Sequence, residues 1–214
     1  MRIGHLQHTL LVSALVVGAL YAAAPAAHAT AITYNLTCGI GGGCGTTSYG
    51  SITLNEVNAS TVTVNETLAP GVVFAKTGAG DALAFNVNVS GLVLTNVTTG
   101  FAQGPSPDKA PPYGSFGYSI RCTTACGNGT STPNSTSLGF TTSDGSSLTI
   151  ANFVANAGGY FFASDVGVPN DQGGFKTGNV AAVAPTTHVP EPASLMMLGA
   201  GLLGLGLIRR YRAA

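Results

Sequence analysis

Apolar residues in this chain recur at every second position, in short runs cut by Gly, Asn, Pro and Ser. That rhythm selects strands over helices. Over residues 82–89, Leu83, Phe85, Val87 and Val89 fall on one side and Ala84, Asn86 and Asn88 on the other. Only a pleated backbone, whose side chains alternate between faces, keeps such a set together. Phe116, Tyr118 and Ile120 alternate in the same way ahead of Cys122. Runs of this kind predict strands at residues 32–37, 51–54, 61–64, 72–75, 82–89, 92–97, 116–122, 138–142, 147–153 and 160–166. Ser90-Gly91 lies between two apolar runs, where a tight hairpin would place it. No long stretch of the body has a helical period, and no repeat of fixed length recurs. About ten short strands between turn signals predict an all-β body, an antiparallel β-sandwich or jelly roll. Long loops are expected at residues 39–50, 100–115 and 126–137. The second carries Pro105, Pro107, Pro111 and Pro112, which stiffen it and break strands.

The two ends obey a different logic. Residues 1–29 read as a secretory signal: Arg2 in the n-region, an apolar helix over residues 10–20, and the small-x-small site Ala27-His28-Ala29. Cleavage is expected between Ala29 and Thr30. At the other end, Pro190 and Pro192 lack backbone N–H groups and keep the Val189-Pro190-Glu191-Pro192 stretch extended. Ser194 can cap a helix that starts just after it. Residues 193–208 are 16 positions without a charge, somewhat short of the ~20 that cross a full hydrocarbon core. Tyr211 and the arginines Arg209, Arg210 and Arg212 can snorkel to cover the deficit. By the positive-inside rule they place this end in the cytoplasm and the body outside. The expected organisation is a signal at 1–29, an exported domain at 30–180, a linker at 181–188 and a transmembrane tail at 189–214.

That tail resembles the PEP-CTERM sorting signal of Gram-negative bacteria. The resemblance rests on Pro190-Glu191-Pro192, the single apolar helix and the Arg209, Arg210 and Arg212 cluster, in that order. It implies recognition by an exosortase-type membrane protease with a cysteine nucleophile. It also implies transient residence in the inner membrane, removal of the tail, and delivery to the cell surface or extracellular matrix. A looser likeness to the bodies of many such proteins is carried by residues 148–153, 159–166 and 177–182. It implies no activity.

The body itself is weakly charged and slightly acidic. Lys76, Lys109, Lys176 and Arg121 stand against Glu56, Glu66, Asp81, Asp108, Asp144, Asp165 and Asp171. A basic footprint for nucleic acid is absent. Four cysteines in an exported segment predict two disulfides. Their spacings suit the local pairs Cys38–Cys44 and Cys122–Cys126, with crossed pairings and a four-thiolate zinc site as rivals. No cofactor and no metal are expected. Asp165, Asn170 and Asp171 could offer oxygens to calcium near residues 166–174, but turn-forming side chains that bond their own backbone are the favoured reading.

His188 is the only histidine beyond the signal, so a Ser-His-Asp or Cys-His mechanism is not expected, and no catalytic residue is assigned. Paired carboxylates on a β-scaffold keep a secreted hydrolase as a remote alternative. A glycan-binding module would need exposed aromatics. With no Trp, Tyr113 and Tyr160 are the candidates. Asn-x-Ser/Thr triplets are frequent, and Glu56-Val57-Asn58-Ala59-Ser60 also has an acid at the position that bacterial oligosaccharyl transfer prefers. The expectation is a non-enzymatic exported protein, structural or adhesive in exopolysaccharide or biofilm.

Overall fold

The central hairpin of the first sheet is built from alternating apolar and polar residues. In the computed structural model, which describes residues 31–78 and 80–186, β2 (Gly50–Asn58) and β3 (Thr61–Leu68) form a hairpin. Leu54 lies opposite Val64, and Ile52 opposite Glu66. β1 (Ala31–Asn35) pairs with β2 on the far side. The remaining strands are β4 (Val73–Phe74), β5 (Leu83–Phe85), β6 (Val93–Thr95), β7 (Phe101–Gln103), β8 (Asp108–Lys109), β9 (Ser115–Phe116) and β10 (Tyr118–Cys122). They are followed by β11 (Ser137–Ser143), β12 (Phe162–Pro169), β13 (Phe175–Ala182) and β14 (Pro185–Thr186).

Two antiparallel sheets result. The first runs β14-β1-β2-β3-β11-β6 and the second β13-β12-β5-β10-β7. β12 pairs with β13 along its whole length. Its other side is shared, with β5 at Phe162 and Ala163 and with β4 at Val166 and Gly167.

Ile52, Leu54, Val64 and Phe140 of the first sheet meet Phe74, Phe85, Ile120 and Phe162 of the second in one buried core. Phe85 and Phe140 bring their ring centroids within 5.5 Å across the gap. Each such side chain stabilises the fold by about 1.5–3 kcal/mol. One edge is laced. Beyond β1 the chain crosses over, so that Cys38 exchanges backbone hydrogen bonds with Ala181 of β13 at 2.9 Å each way. Beyond β13 it crosses back to pair β14 with β1. Among the described residues no helix is long and apolar enough to span a membrane.

A second, smaller core lies outside the second sheet. Ala84, Ala163 and Ala181 point away from the sandwich, and Ala110, Tyr113 and Phe116 pack onto them. The proline-rich segment at residues 104–116 thus covers that face, because three alanines leave room for it. Its pair β8–β9 forms a two-stranded ribbon.

Several expectations change. Residues 82–89 do not form one long strand. Only Leu83–Phe85 pairs as β5, after which Val87 bridges Phe153 and the Asn88 N–H donates to Asn152 O. Ser90-Gly91 is not a hairpin between neighbours, since β5 belongs to the second sheet and β6 to the first. Residues 147–153 are not a strand. The Asp144 carboxylate accepts the N–H groups of Ser146, Ser147 and Leu148, winding the chain toward a 3-10 turn at Ile150–Asn152.

The expected loop at residues 100–115 contains β7 and β8. Residues 181–188, expected to be a linker, include the end of β13 and all of β14. Pro185 is tolerated there because β14 is an edge strand. The signal helix, the Ala29–Thr30 cleavage site, the transmembrane helix and the tail residues Pro190, Glu191, Pro192, Arg209, Arg210 and Arg212 lie outside the described residues.

Candidate functional site

Two surfaces carry unusual chemistry, and they are the two outer faces of the sandwich. The first is acidic and covered. Asp165 on β12 and Asn179 on β13 are register partners, and strand alternation turns both outward, beneath the proline-rich cover. Asp165 is 0% exposed. Thr77 donates to its Oδ2 through N–H at 3.1 Å and Oγ1 at 2.6 Å. Its Oδ1 is buried and has no hydrogen-bond partner. The Asp165 N–H donates to Asp81 O at 3.1 Å, and the Asp81 N–H donates to Asp108 Oδ2 at 3.3 Å. Ser119 Oγ donates to Asp81 Oδ2 at 2.5 Å and lies 3.0 Å from Pro105 O. Asn179 Nδ2 donates to Pro111 O at 2.9 Å, tying the cover down.

Burial raises the Asp165 carboxyl above the usual range, and the charge of Asp81 adds to this against the Thr77 bonds. Asp108 is raised by burial first, then by Asp81, with a smaller push from Asp165. No Lys or Arg among the described residues offsets them; the charges felt at Asp108 and Asp165 are those of other carboxylates. As they stand, no three His, Cys, Asp or Glu side chains among the described residues close on one metal-sized point.

The second surface is open and uncharged. Inward residues of the first sheet are apolar except for Glu56, Glu66 and Thr142. Outward residues are almost all Thr, Ser and Asn, in rows set by the register. Thr33, Thr53, Asn65 and Gly139 lie side by side, as do Asn55, Thr63, Thr141 and Thr95. Neighbours within a row are about 4.8 Å apart, and rows repeat about every 6.8 Å along the strands. Thr33 and Thr53 share a hydroxyl hydrogen bond at 3.1 Å.

A third feature lies between the sheets. Glu66 is fully buried, its Oε1 accepts from Ser164 Oγ at 2.5 Å, and its Oε2 has no partner. Burial pushes its carboxyl up to about 8 against the Ser164 bond.

The residues singled out in the sequence fall differently. Both disulfides form, Cys38–Cys44 and Cys122–Cys126. No cysteine among the described residues is free. Asp165 does not group with Asn170 and Asp171. The Asn170 Oδ1 accepts the N–H groups of Gln172 and Gly174 in a turn, while Asp165 joins Asp81 and Asp108. Those two were missed because nothing in their local sequence marks them.

Tyr113 is 1% exposed and its hydroxyl donates to Gly39 O. Burial, with Tyr160 next, pushes that hydroxyl up to about 12. Its ring meets Tyr160 edge-on at 4.8 Å. Neither ring is an open stacking platform, and the exposed large hydrophobics among the described residues are Val57, Val93 and Val183. Asn58 is exposed at the β2–β3 tip, with its Oδ1 accepting from Ser60 N and Oγ. Glu56 is occupied by the Ile150 N–H. A cleft of ~200 Å³ on the cover, lined by Lys109, Pro111, Pro112, Gly114 and Ser115, is smaller than ordinary small-molecule sites.

An antiparallel sandwich closed by two disulfides is a protein suited to an oxidising compartment. The family model of the PEP-CTERM protein-sorting motif matches residues 188–212. The chain carries that motif, which supports an exported protein that is sorted in transit through the membrane and processed by an exosortase, itself a membrane protein. No curated protein and no solved structure matches the chain.

Proposed function

We propose that the body is a non-enzymatic structural or adhesive component of the cell surface or extracellular matrix of a Gram-negative bacterium, delivered there after removal of its sorting tail. The observation that supports this reading is the open face of the first sheet. It is an array of hydroxyl and amide groups, interrupted by Gly139 and Val93, without a charge or an aromatic ring among its outward strand positions. Such a face makes many weak hydrogen bonds to hydrated neutral polysaccharide and none of great strength, since each bond replaces one to water. Holding a matrix together needs many such contacts in parallel. Stacking recognition of a single sugar lacks support, because Tyr113 and Tyr160 are spent on each other and on the cover. Hydrolysis lacks support as well, because the interacting carboxyls lie beneath the cover rather than in an open cleft.

The test is matrix cohesion. A strain lacking this chain should release more cell mass under shear than the parent. The wild-type chain should restore cohesion, and a Thr53→Lys, Thr63→Lys, Thr141→Lys variant should not. Unchanged cohesion in the deletion strain would remove the proposal.

A further inference from the structure

The two disulfides differ in what surrounds them. Cys122 and Cys126 are both buried in the main core between the sheets. Cys38 is buried in the second core, with Ala110, Tyr113 and Phe116 of the cover, but its partner Cys44 is exposed. Exchange needs a thiolate to reach one of the two sulfurs, so access separates the bonds. The accessible bond also closes the loop that holds the cover. Gly39 O accepts the Tyr113 hydroxyl. Gly42 lies against Pro112, whose Cγ a Cβ there would meet at 3.3 Å. On its other side the loop rests on β13: Cys38 is bonded to Ala181, and a Cβ at Gly178 would fall 2.9 Å from Ile40 Cγ2. Residues 38–44 are thus wedged between β13 and the cover.

We propose that the Cys38–Cys44 disulfide is a thiol-exchange site, and that its reduction by a dithiol unlatches the proline-rich cover. Between the two cysteines Ile40 is the one residue that is not glycine. Closure of the loop therefore rests on the S–S bond and on two backbone bonds, Gly39 N–H to Gly43 O at 2.7 Å and Gly42 N–H to Gly39 O at 3.0 Å. Gly41 and Gly42 hold φ at 106° and 103°, a conformation that glycine leaves as readily as it enters. A thiolate of the dithiol attacks Cys44 Sγ, a mixed disulfide forms, and Cys38 leaves as a thiolate that takes up a proton. The second thiol of the reductant then attacks its own bound sulfur and releases Cys44 as a thiolate, which is protonated in turn. Two electrons pass to the protein, and the dithiol departs as a disulfide. The opened loop no longer fixes the Gly39 carbonyl. Tyr113 loses its acceptor, and residues 104–116 loosen from Ala84, Ala163 and Ala181 while the main core and the buried Cys122–Cys126 bond persist.

The experiment treats the full purified chain, both disulfides formed, with dithiothreitol under native conditions, traps free thiols with iodoacetamide, and follows amide exchange by mass spectrometry. Alkylation is expected at Cys38 and Cys44 while Cys122 and Cys126 remain joined. The Ala110 and Tyr113 amides, which bond to Gly114 O and Ala110 O within the cover, should then exchange ~10-fold faster or more, with β2 and β3 unchanged. Tyr113→Phe keeps the ring but lacks the bond to Gly39, so its cover should exchange faster before reduction and gain less from it. A Cys38→Ser, Cys44→Ser variant should show the fast cover without reductant and ignore dithiothreitol. If that variant does not fold, the wild-type chain and Tyr113→Phe still decide the matter. Alkylation of all four cysteines in step overturns the proposal, and so do cover amides that do not respond when Cys38–Cys44 is reduced.

Discussion

The two outer faces of this sandwich are built from the same strand alternation and end as opposites. On the first sheet the outward positions are Thr, Ser and Asn, and the face stays open. On the second they include Ala84, Ala163 and Ala181, and a proline-rich segment settles there. The carboxyls differ in the same sense. Glu66, on the open sheet, points inward to Ser164, whereas Asp165, on the covered sheet, points outward under the cover. An alanine in place of a threonine therefore decides whether a face meets solvent or another layer of the chain. The polar groups caught by that second layer lose the water that Thr and Asn on the open face keep.

The largest effect should come from Glu66. The folded state holds its proton up to about 8, whereas an unfolded chain releases it near 4.5. Between those values folding takes up a proton. Its contribution is full below about 4.5 and declines by ~1.4 kcal/mol per pH unit until it is lost as pH rises through about 8. Urea denaturation at pH 5, 7 and 8.5 should show this decline, and Glu66→Gln should flatten it. An equally steep decline in the variant would place the proton elsewhere.

Next comes the cover. Tyr113→Ala removes a buried ring and its bond to Gly39, and should cost about 3–5 kcal/mol. Amide exchange should rise first across residues 104–116. A loss spread evenly over both sheets would mean that the cover and sandwich unfold as one.

The lacing edge should matter less. Replacing Cys38 and Cys44 together by Ala opens a short loop beside Ala181 and should cost about 2 kcal/mol by the loop-entropy relation. Denaturant midpoints with and without reductant would measure it. On the open face, Thr53→Ala should change stability by no more than about 0.5 kcal/mol. A cost as large as that of Tyr113→Ala would erase the distinction between the faces.

Local patterns were legible. The strand character of residues 51–54 and 61–64 follows from their alternation, although the strands run longer and pair as a hairpin, and both disulfides join cysteines close in sequence. The run after Phe85 was misread because alternation says that a segment is extended, not that a partner lies beside it. There the backbone turns toward Phe153 and Asn152. The acidic site was half legible. Asp165 stood out near a loop, but its companions Asp81 and Asp108 are distant in sequence and only tertiary hydrogen bonds, Asp165 N–H to Asp81 O and Asp81 N–H to Asp108 Oδ2, unite them.

By itself, the sequence determined that the body is β and that a Pro-Glu-Pro triplet, an apolar run and arginines follow one another in sorting order. Each of these depends on residues a few positions apart. Tertiary structure alone decided which face lies open, which is roofed by residues 104–116, and that three distant aspartates are linked by hydrogen bonds. Those outcomes depend on which strands become neighbours, and periodicity carries no record of neighbours.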